Sequence, residues 1–187
     1  MAGSQQSLRA AVFLGLSVDG RIARPDGDLE WLTTRGAAAG DAGFTPFMES
    51  VDAVVMGRKT YETIASAEHW PYLDRPMHVI STALAADADP RITVHRSPEE
   101  AVEVLQRDGH RRVYVDGGET IRWFLASELV DELTLSQVPV LIGDGPSLFG
   151  PLGGDVHLEH VSTAVLGGGM VQTTYRVLGG PTPPAAK

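Results

Sequence analysis

The sequence predicts an α/β fold organised on a mostly parallel sheet. Three observations predict it. Near-continuous apolar runs at 8–16, 51–56, 76–81 and 112–116 read as strands covered on both faces rather than as half-solvated, alternating ones. Segments able to form helices follow several of these runs, often after glycine. Near the C-terminus, residues 158–166 and 170–177 flank Gly167-Gly168-Gly169, the pattern of an antiparallel hairpin that closes one edge of the sheet.

In chain order, residues 8–16 (LRAAVFLGL) form the first strand, buried at the centre. Residues 17–28 carry two Asp-Gly pairs and Pro25 and form a long loop, of the kind that serves as a lid or binding loop. Trp31 stands near its end, with two readings open: a core plug, or an aromatic wall beside a flat ligand. Residues 36–43 are rich in small side chains and read as a mobile connection. Residues 44–50 can form a short helix, with Pro46 in the first turn and Asp41 placed to cap it. The strand 51–56 then runs into Gly57-Arg58-Lys59-Thr60 and a helix over 60–67, and a loop spans 69–72. Strands follow at 76–81 and 91–95. Ser97, Pro98 and Glu100 mark a helix start at N-cap, N1 and N3, and that helix stops at Asp108-Gly109. A strand at 112–116 ends in Gly117-Gly118, a helix covers 119–127, and a strand spans 133–138 with an extension to 142. One domain over residues 8–178 is expected, with flexible segments at 1–7 and 179–187.

Composition narrows the function. The 187 residues carry a net charge of −9, which argues against non-specific nucleic-acid binding and makes the basic Arg58-Lys59 turn stand out. The chain has no cysteine, which excludes disulfides, thiolate nucleophiles and cysteine-based zinc sites and fits a cytoplasmic protein. No apolar run is long enough to span a membrane, and the first residues lack the apolar core of a signal peptide. The six histidines show no ligand spacing, so no metal site is expected.

Two helix starts follow strand ends: Gly57-Arg58-Lys59-Thr60 and Gly117-Gly118-Glu119-Thr120. First-turn N–H groups lack intrahelical partners and carry partial positive charge, so each start suits an anion. Ligands of open α/β sheets gather at the carboxyl ends of strands. Two such turns on one edge, with Ser81-Thr82 at a third strand end, suit a dinucleotide whose phosphates lie apart. Neither G-x-G-x-x-G after the first strand nor a P-loop is present. Among the loop carboxylates Asp19, Asp26, Asp28, Asp41, Asp116 and Asp144, any could manage a proton, though most loop aspartates cap turns.

The stretches Ser17-Val18-Asp19-Gly20-Arg21-Ile22-Ala23, Met56-Gly57-Arg58-Lys59-Thr60-Tyr61-Glu62, Val79-Ile80-Ser81, Val115-Asp116-Gly117-Gly118, and Leu129-Val130-Asp131-Glu132-Leu133 leading to 139–145 are specific in combination and in order. Through them the chain resembles the dihydrofolate reductase-like superfamily. It is most similar to the reductase domain of bifunctional riboflavin biosynthesis proteins and that domain's free-standing bacterial relatives. The resemblance implies a central sheet of about eight strands with flanking helices, and NADPH as hydride donor to a small-molecule substrate. It places the coenzyme's 2′-phosphate and pyrophosphate on Gly57, Arg58, Lys59 and Thr60, its adenine ribose along Ser81 and Thr82, and the other side of the pyrophosphate on Gly117, Gly118, Glu119 and Thr120. Substrate is expected among Ser17, Asp19, Trp31, Phe44 and Met48, with Asp19 and Asp41 handling protons or contacting substrate. The expected reaction is reduction of a planar nitrogen heterocycle or a riboflavin precursor such as 5-amino-6-(5-phosphoribosylamino)uracil. The alternatives are a genuine dihydrofolate reductase, whose acidic pterin anchor would be Asp41 or Glu49, and a non-catalytic NADPH-binding module. Without cysteines the zinc deaminase half of the bifunctional enzymes is missing. A homodimer is expected by the same analogy, with its contact around residues 133–140.

Overall fold

The computed structural model describes residues 8–66, 70–72 and 74–182. The expected flexible segments at 1–7 and 183–187, the end of the expected helix at Ala67, and His69 of the expected loop lie outside the described residues. Eight strands form one sheet: β1 (Arg9–Ser17), β2 (Ala53–Gly57), β3 (Met77–Ile80), β4 (Ile92–His95), β5 (Arg112–Asp116), β6 (Val130–Val138), β7 (Leu158–Val165) and β8 (Val171–Val177). Their order across the sheet is β4-β3-β2-β5-β1-β6-β8-β7. The strands from β4 to β6 pair in parallel, and β8 pairs antiparallel with both β6 and β7.

The apolar runs are strands because both faces are covered. Ala10, Val12 and Leu16 of β1 enter a cluster with Leu105, Ile121 and Phe124, which come from α4 (Pro98–Arg107) and α5 (Gly118–Ala126). Ala11 faces the opposite cluster, with Phe47 and Met48 of α2 (Phe44–Glu49) and Tyr61 of α3 (Arg58–Ala65). Successive residues of a strand point to opposite faces, so a strand between two layers needs apolar groups at every position. Ser97 caps α4 as its position predicts: its Oγ accepts the Glu100 N–H at 3.2 Å, and the Glu100 carboxylate accepts the Arg96 N–H at 2.6 Å.

One helix departs from the expectation. Residues Glu30–Ala39 form α1, where sequence suggested a loop end and a mobile, small-residue connection. Trp31 is the residue it buries, so its sequence carries little of the apolar stripe that marks a helix. Trp31 packs with Val138 and Met170 in a third, smaller cluster at the carboxyl edge of the sheet. β6 is paired by β1 on one edge and by β8 on the other, with Leu133 and Val138 buried. Residues 179–182 are tied to the fold at one point, where Thr182 and Asp155 exchange backbone hydrogen bonds of 2.8 and 3.0 Å.

Near the β4 edge, His78 of β3 and His95 of β4 stack 5.1 Å apart with Nδ1 of the first 2.8 Å from Nε2 of the second. Burial disfavours the charged imidazole, so both pKa values lie below the ordinary 6.5, that of His78 at about 4. Unfolded histidines take up protons below pH 6.5, whereas His78 in the fold resists until about pH 4 and His95 is shifted in the same direction. The pair's contribution is therefore complete above pH 6.5 and is lost as pH falls toward 4. The urea midpoint is expected to drop across that window, and the drop to flatten in His78→Gln/His95→Gln. Equal slopes in the two proteins would remove the pair from the acid response.

Candidate active site at the carboxyl edge of the sheet

All six parallel strands end on one edge. β2 and β5 are neighbours there, with Met56 opposite Asp116. Each strand passes directly into a helix: Gly57 precedes α3 and Gly117 precedes α5. The two turns touch. A Cβ on Gly117 would lie 2.4 Å from Thr60 Oγ1, and one on Gly57 would lie 3.4 Å from Thr120 Oγ1. Gly117 also has φ +87°, a conformation that side chains rarely adopt. Neither helix start has a side-chain cap, so the first-turn N–H groups of both are left for another acceptor. Arg58 and Lys59 are exposed beside them, and Arg58 makes a solvent-facing pair with Glu62 at 3.3 Å. Glu119 is exposed, whereas Gly118 and Thr120 are buried.

The third strand end lies next along the edge. Ser81 is buried, and its hydroxyl accepts the N–H groups of Ala83 and Leu84 at 3.1 and 3.0 Å, while Thr82 is exposed. The side chain of Arg96, just past β4, donates to the Ser81 and Leu84 carbonyls at 2.8 and 2.6 Å. Sequence reasoning passed over Arg96, since a lone arginine after a strand carries no pattern.

On the other side of the edge, Ser17 and Asp19 join two loops. The Ser17 hydroxyl donates to Asp19 at 2.7 Å and accepts the Arg21 N–H at 2.8 Å. The Asp19 carboxylate also accepts the N–H groups of Ile142 and Gly143 at 3.1 and 2.8 Å. These donors, the Ser17 hydroxyl foremost, hold the Asp19 pKa at about 2. Asp19 is therefore a carboxylate at neutral pH that fastens the loop after β1 to the loop after β6. Arg21 strengthens the seam by donating to the Gly145 carbonyl at 2.9 Å.

The remaining expected site residues divide. Asp41 is exposed and accepts both the N–H and the hydroxyl of Thr45, at 3.1 and 2.8 Å, which ties down the start of α2. Met48 is fully buried in the sheet-facing side of α2. Trp31 is buried too, and its indole N–H has no hydrogen-bond partner among the described residues. Phe44 is half-buried among aromatic rings, with centroids 5.6 Å from Phe13, 6.4 Å from Tyr72 and 6.2 Å from Tyr114.

Asp116 was one of six loop aspartates in the sequence, and the structure singles it out. It ends β5, directly before Gly117, and is buried. Its carboxylate accepts the Tyr72 hydroxyl at 2.9 Å and the Gly117 N–H at 2.7 Å. Burial nevertheless dominates and raises its pKa. The Tyr72 hydroxyl, buried beside it, is pushed far above its ordinary range and stays a neutral donor. Tyr114 completes the aromatic wall and gives its hydroxyl to the Phe13 carbonyl at 2.8 Å. A carboxyl kept out of water can retain its proton closer to neutrality than an exposed one can. Nothing local in the sequence marks this, because Tyr72 arrives from 44 residues away. Among the described residues, no group of three or more histidine or acidic side chains could hold a metal.

Comparisons with known proteins agree with this fold. The chain is 27% identical over 162 residues to the uncharacterized protein YwjB of Bacillus subtilis, covering 85% of this chain and 92% of that one. A crystal structure of a putative riboflavin biosynthesis protein from Shewanella superposes with a TM-score of 0.82 at 32% identity, over 91% of this chain and 99% of the other. Enterococcus faecalis dihydrofolate reductase, solved in complex with NADP(H), matches in fold with a TM-score of 0.67 at 20% identity, over 92% of this chain and 98% of that one. The model of the RibD C-terminal domain matches residues 11–172, and the chain belongs to that family.

Proposed function

We propose that this protein is an NADPH-dependent reductase that delivers a hydride to a planar nitrogen heterocycle or to a riboflavin precursor of the 5-amino-6-(5-phosphoribosylamino)uracil type. The observation that carries the reading is the meeting of two uncapped helix starts, at Gly57–Thr60 and Gly117–Thr120, on one edge of the sheet. Family membership and the likeness to a putative riboflavin biosynthesis protein support it.

The residues present fit the coenzyme. Gly57, Thr60, Gly117, Gly118 and Thr120 bring backbone N–H groups close to a pyrophosphate, with Glu119 on the exposed side of the same turn. Arg58 and Lys59 add full positive charge for a 2′-phosphate. Ser81 and Thr82 border the ribose, and Arg96 stiffens that border. When bound, NADPH supplies the hydride, and the protein's part is to orient the substrate, exclude water and manage the proton.

Phe44, with Tyr72 and Tyr114 behind it, offers a flat apolar wall to a heterocycle. Trp31 and Met48, both buried, support that side from within, and Ser17 with Asp19 fixes the loops at its mouth. Hydride addition to a C=N bond leaves the nitrogen in need of a proton. Asp116 is the group we assign to hold it, since its carboxyl pKa is raised and Tyr72 orients it. Asp19 holds two loops together and Asp41 holds the start of α2 through their carboxylates, so we assign them positioning roles. The protein acts in the cytoplasm in this reading, as a homodimer. β7, an edge strand exposed at all eight positions, is the edge we assign to the second copy.

Arg58→Ala is expected to weaken NADPH binding by about tenfold or more, followed by nicotinamide fluorescence, with far less effect on NADH. An equal loss for both coenzymes would remove Arg58 from the 2′-phosphate. Asp116→Asn is expected to lower kcat by about 10²-fold with NADPH affinity retained. In the parent the rate should fall as pH rises through the raised Asp116 pKa. Tyr72→Phe removes a donor that favours the carboxylate, so it should move this fall to higher pH. A pH–rate profile unmoved in Tyr72→Phe would rule out Asp116 as the proton source. Sedimentation at micromolar concentration should give twice the chain mass of 19.9 kDa.

A further inference from the structure

We propose that the tip of the β7–β8 hairpin, and Gly167 in particular, is a positioning device for α1, the helix that roofs the substrate side of the cleft. What lies beneath that roof rests on the reading above; the mechanical link does not.

α1 has little hold of its own on the sheet. Trp31 is the residue it buries, and its first turn is fixed by Asp28, whose carboxylate accepts the Glu30 N–H at 3.1 Å. The other end of the helix rests on the hairpin. A Cβ on Gly167 would lie 1.8 Å from the Ala38 carbonyl oxygen, and one on Gly168 would lie 2.8 Å from that of Arg35. Backbone meets backbone here, so nothing flexible could yield to a side chain. Two further ties run from the same hairpin. Met170, beside the tip, packs against Trp31 within the small carboxyl-edge cluster, with Leu166 against its rim. Gln172 of β8 donates its carboxamide N–H groups to the Ala42 carbonyl at 2.9 Å and to the Ser136 hydroxyl at 3.0 Å, which pins the α1–α2 connection to β6.

The helix so held reaches the site. Leu32 lies over Gly15 of β1, where an added Cβ would come within 2.5 Å of its Cδ1. Gly15 is two residues before Ser17, at the carboxyl end of the strand. Phe44 begins α2 directly beyond the connection that Gln172 pins. A shift of the hairpin tip therefore moves Leu32 and Phe44 together. It leaves the Gly57 and Gly117 turns, which belong to β2 and β5, in place.

Gly167 allows a clean test. Its φ is not in the left-handed region, unlike those of Gly168 and Gly169, so an alanine there acts through the Ala38 contact and not through backbone strain. Hydrogen exchange of residues 33–40 is expected to speed up by about tenfold or more in Gly167→Ala, and severalfold in Gln172→Met, while β1, β2 and β5 keep the parent's protection. Gly36→Ala, in α1 itself with no atom within 4 Å of the added Cβ, should leave or slow that exchange. NADPH affinity should stay within about twofold in all three. With a heterocycle that the parent reduces, KM for it should rise in the two hairpin variants while KM for NADPH holds. Unchanged α1 exchange in both hairpin variants, or an acceleration spread evenly through the sheet, would overturn the proposal. If Gly167→Ala does not fold, Gln172→Met decides. A parent that fails to bind NADPH would defeat the reductase reading and leave the exchange result intact.

Discussion

The structure depends on how closely two chain turns approach one another. Gly117 and Thr60 leave no space for a Cβ between them, and this contact sets the spacing of α3 and α5 at the ends of adjacent strands. A larger residue at Gly117 would be penalised twice, by the Thr60 side chain and by a φ of +87°. Two helix starts this close would repel through their aligned partial charges unless an anion or water met them. The fold therefore stores an electrostatic demand at this edge, in a chain whose net charge is otherwise strongly negative.

The same edge shows how environment assigns different work to one residue type. Asp19 and Asp116 each follow or end a neighbouring parallel strand. Three donors on Asp19 favour its charge, whereas burial of Asp116 opposes its own. One serves as a permanent anion that joins two loops. The other, closed off from water, holds its proton to a higher pH than an exposed aspartate does. Carboxyl groups pushed in opposite directions are a recurrent arrangement where protons are moved.

Much of this was legible in the residues. Strands covered on both faces announce themselves as unbroken apolar runs, and the Ser97–Glu100 cap marks the start of α4 without any tertiary help. The two glycine turns at 57–60 and 117–120 were also visible as helix starts at strand ends, and the fold brings them together. What escaped were features made by distant parts of the chain. α1 packs against a glycine hairpin more than a hundred residues later, and its own side chains do not form an apolar stripe. Asp116 differs from the other loop aspartates only because Tyr72 and the aromatic layer close over it. Trp31 had two readings, and burial beside Val138 and Met170 favours the packed one.

The place of β1 has a consequence for how the chain is made. It is the first strand to be synthesised, yet it lies between β5 and β6, so both of its partners arrive only after residue 111. At ribosomal speeds a delay on the order of 5–20 s separates its emergence from the first chance to pair. During that interval an apolar segment with two open edges is exposed to other chains and to chaperones. Sheets with such distant pairings are intrinsically slow to assemble, so residues 9–17 are the part of this sheet that waits longest for its neighbours.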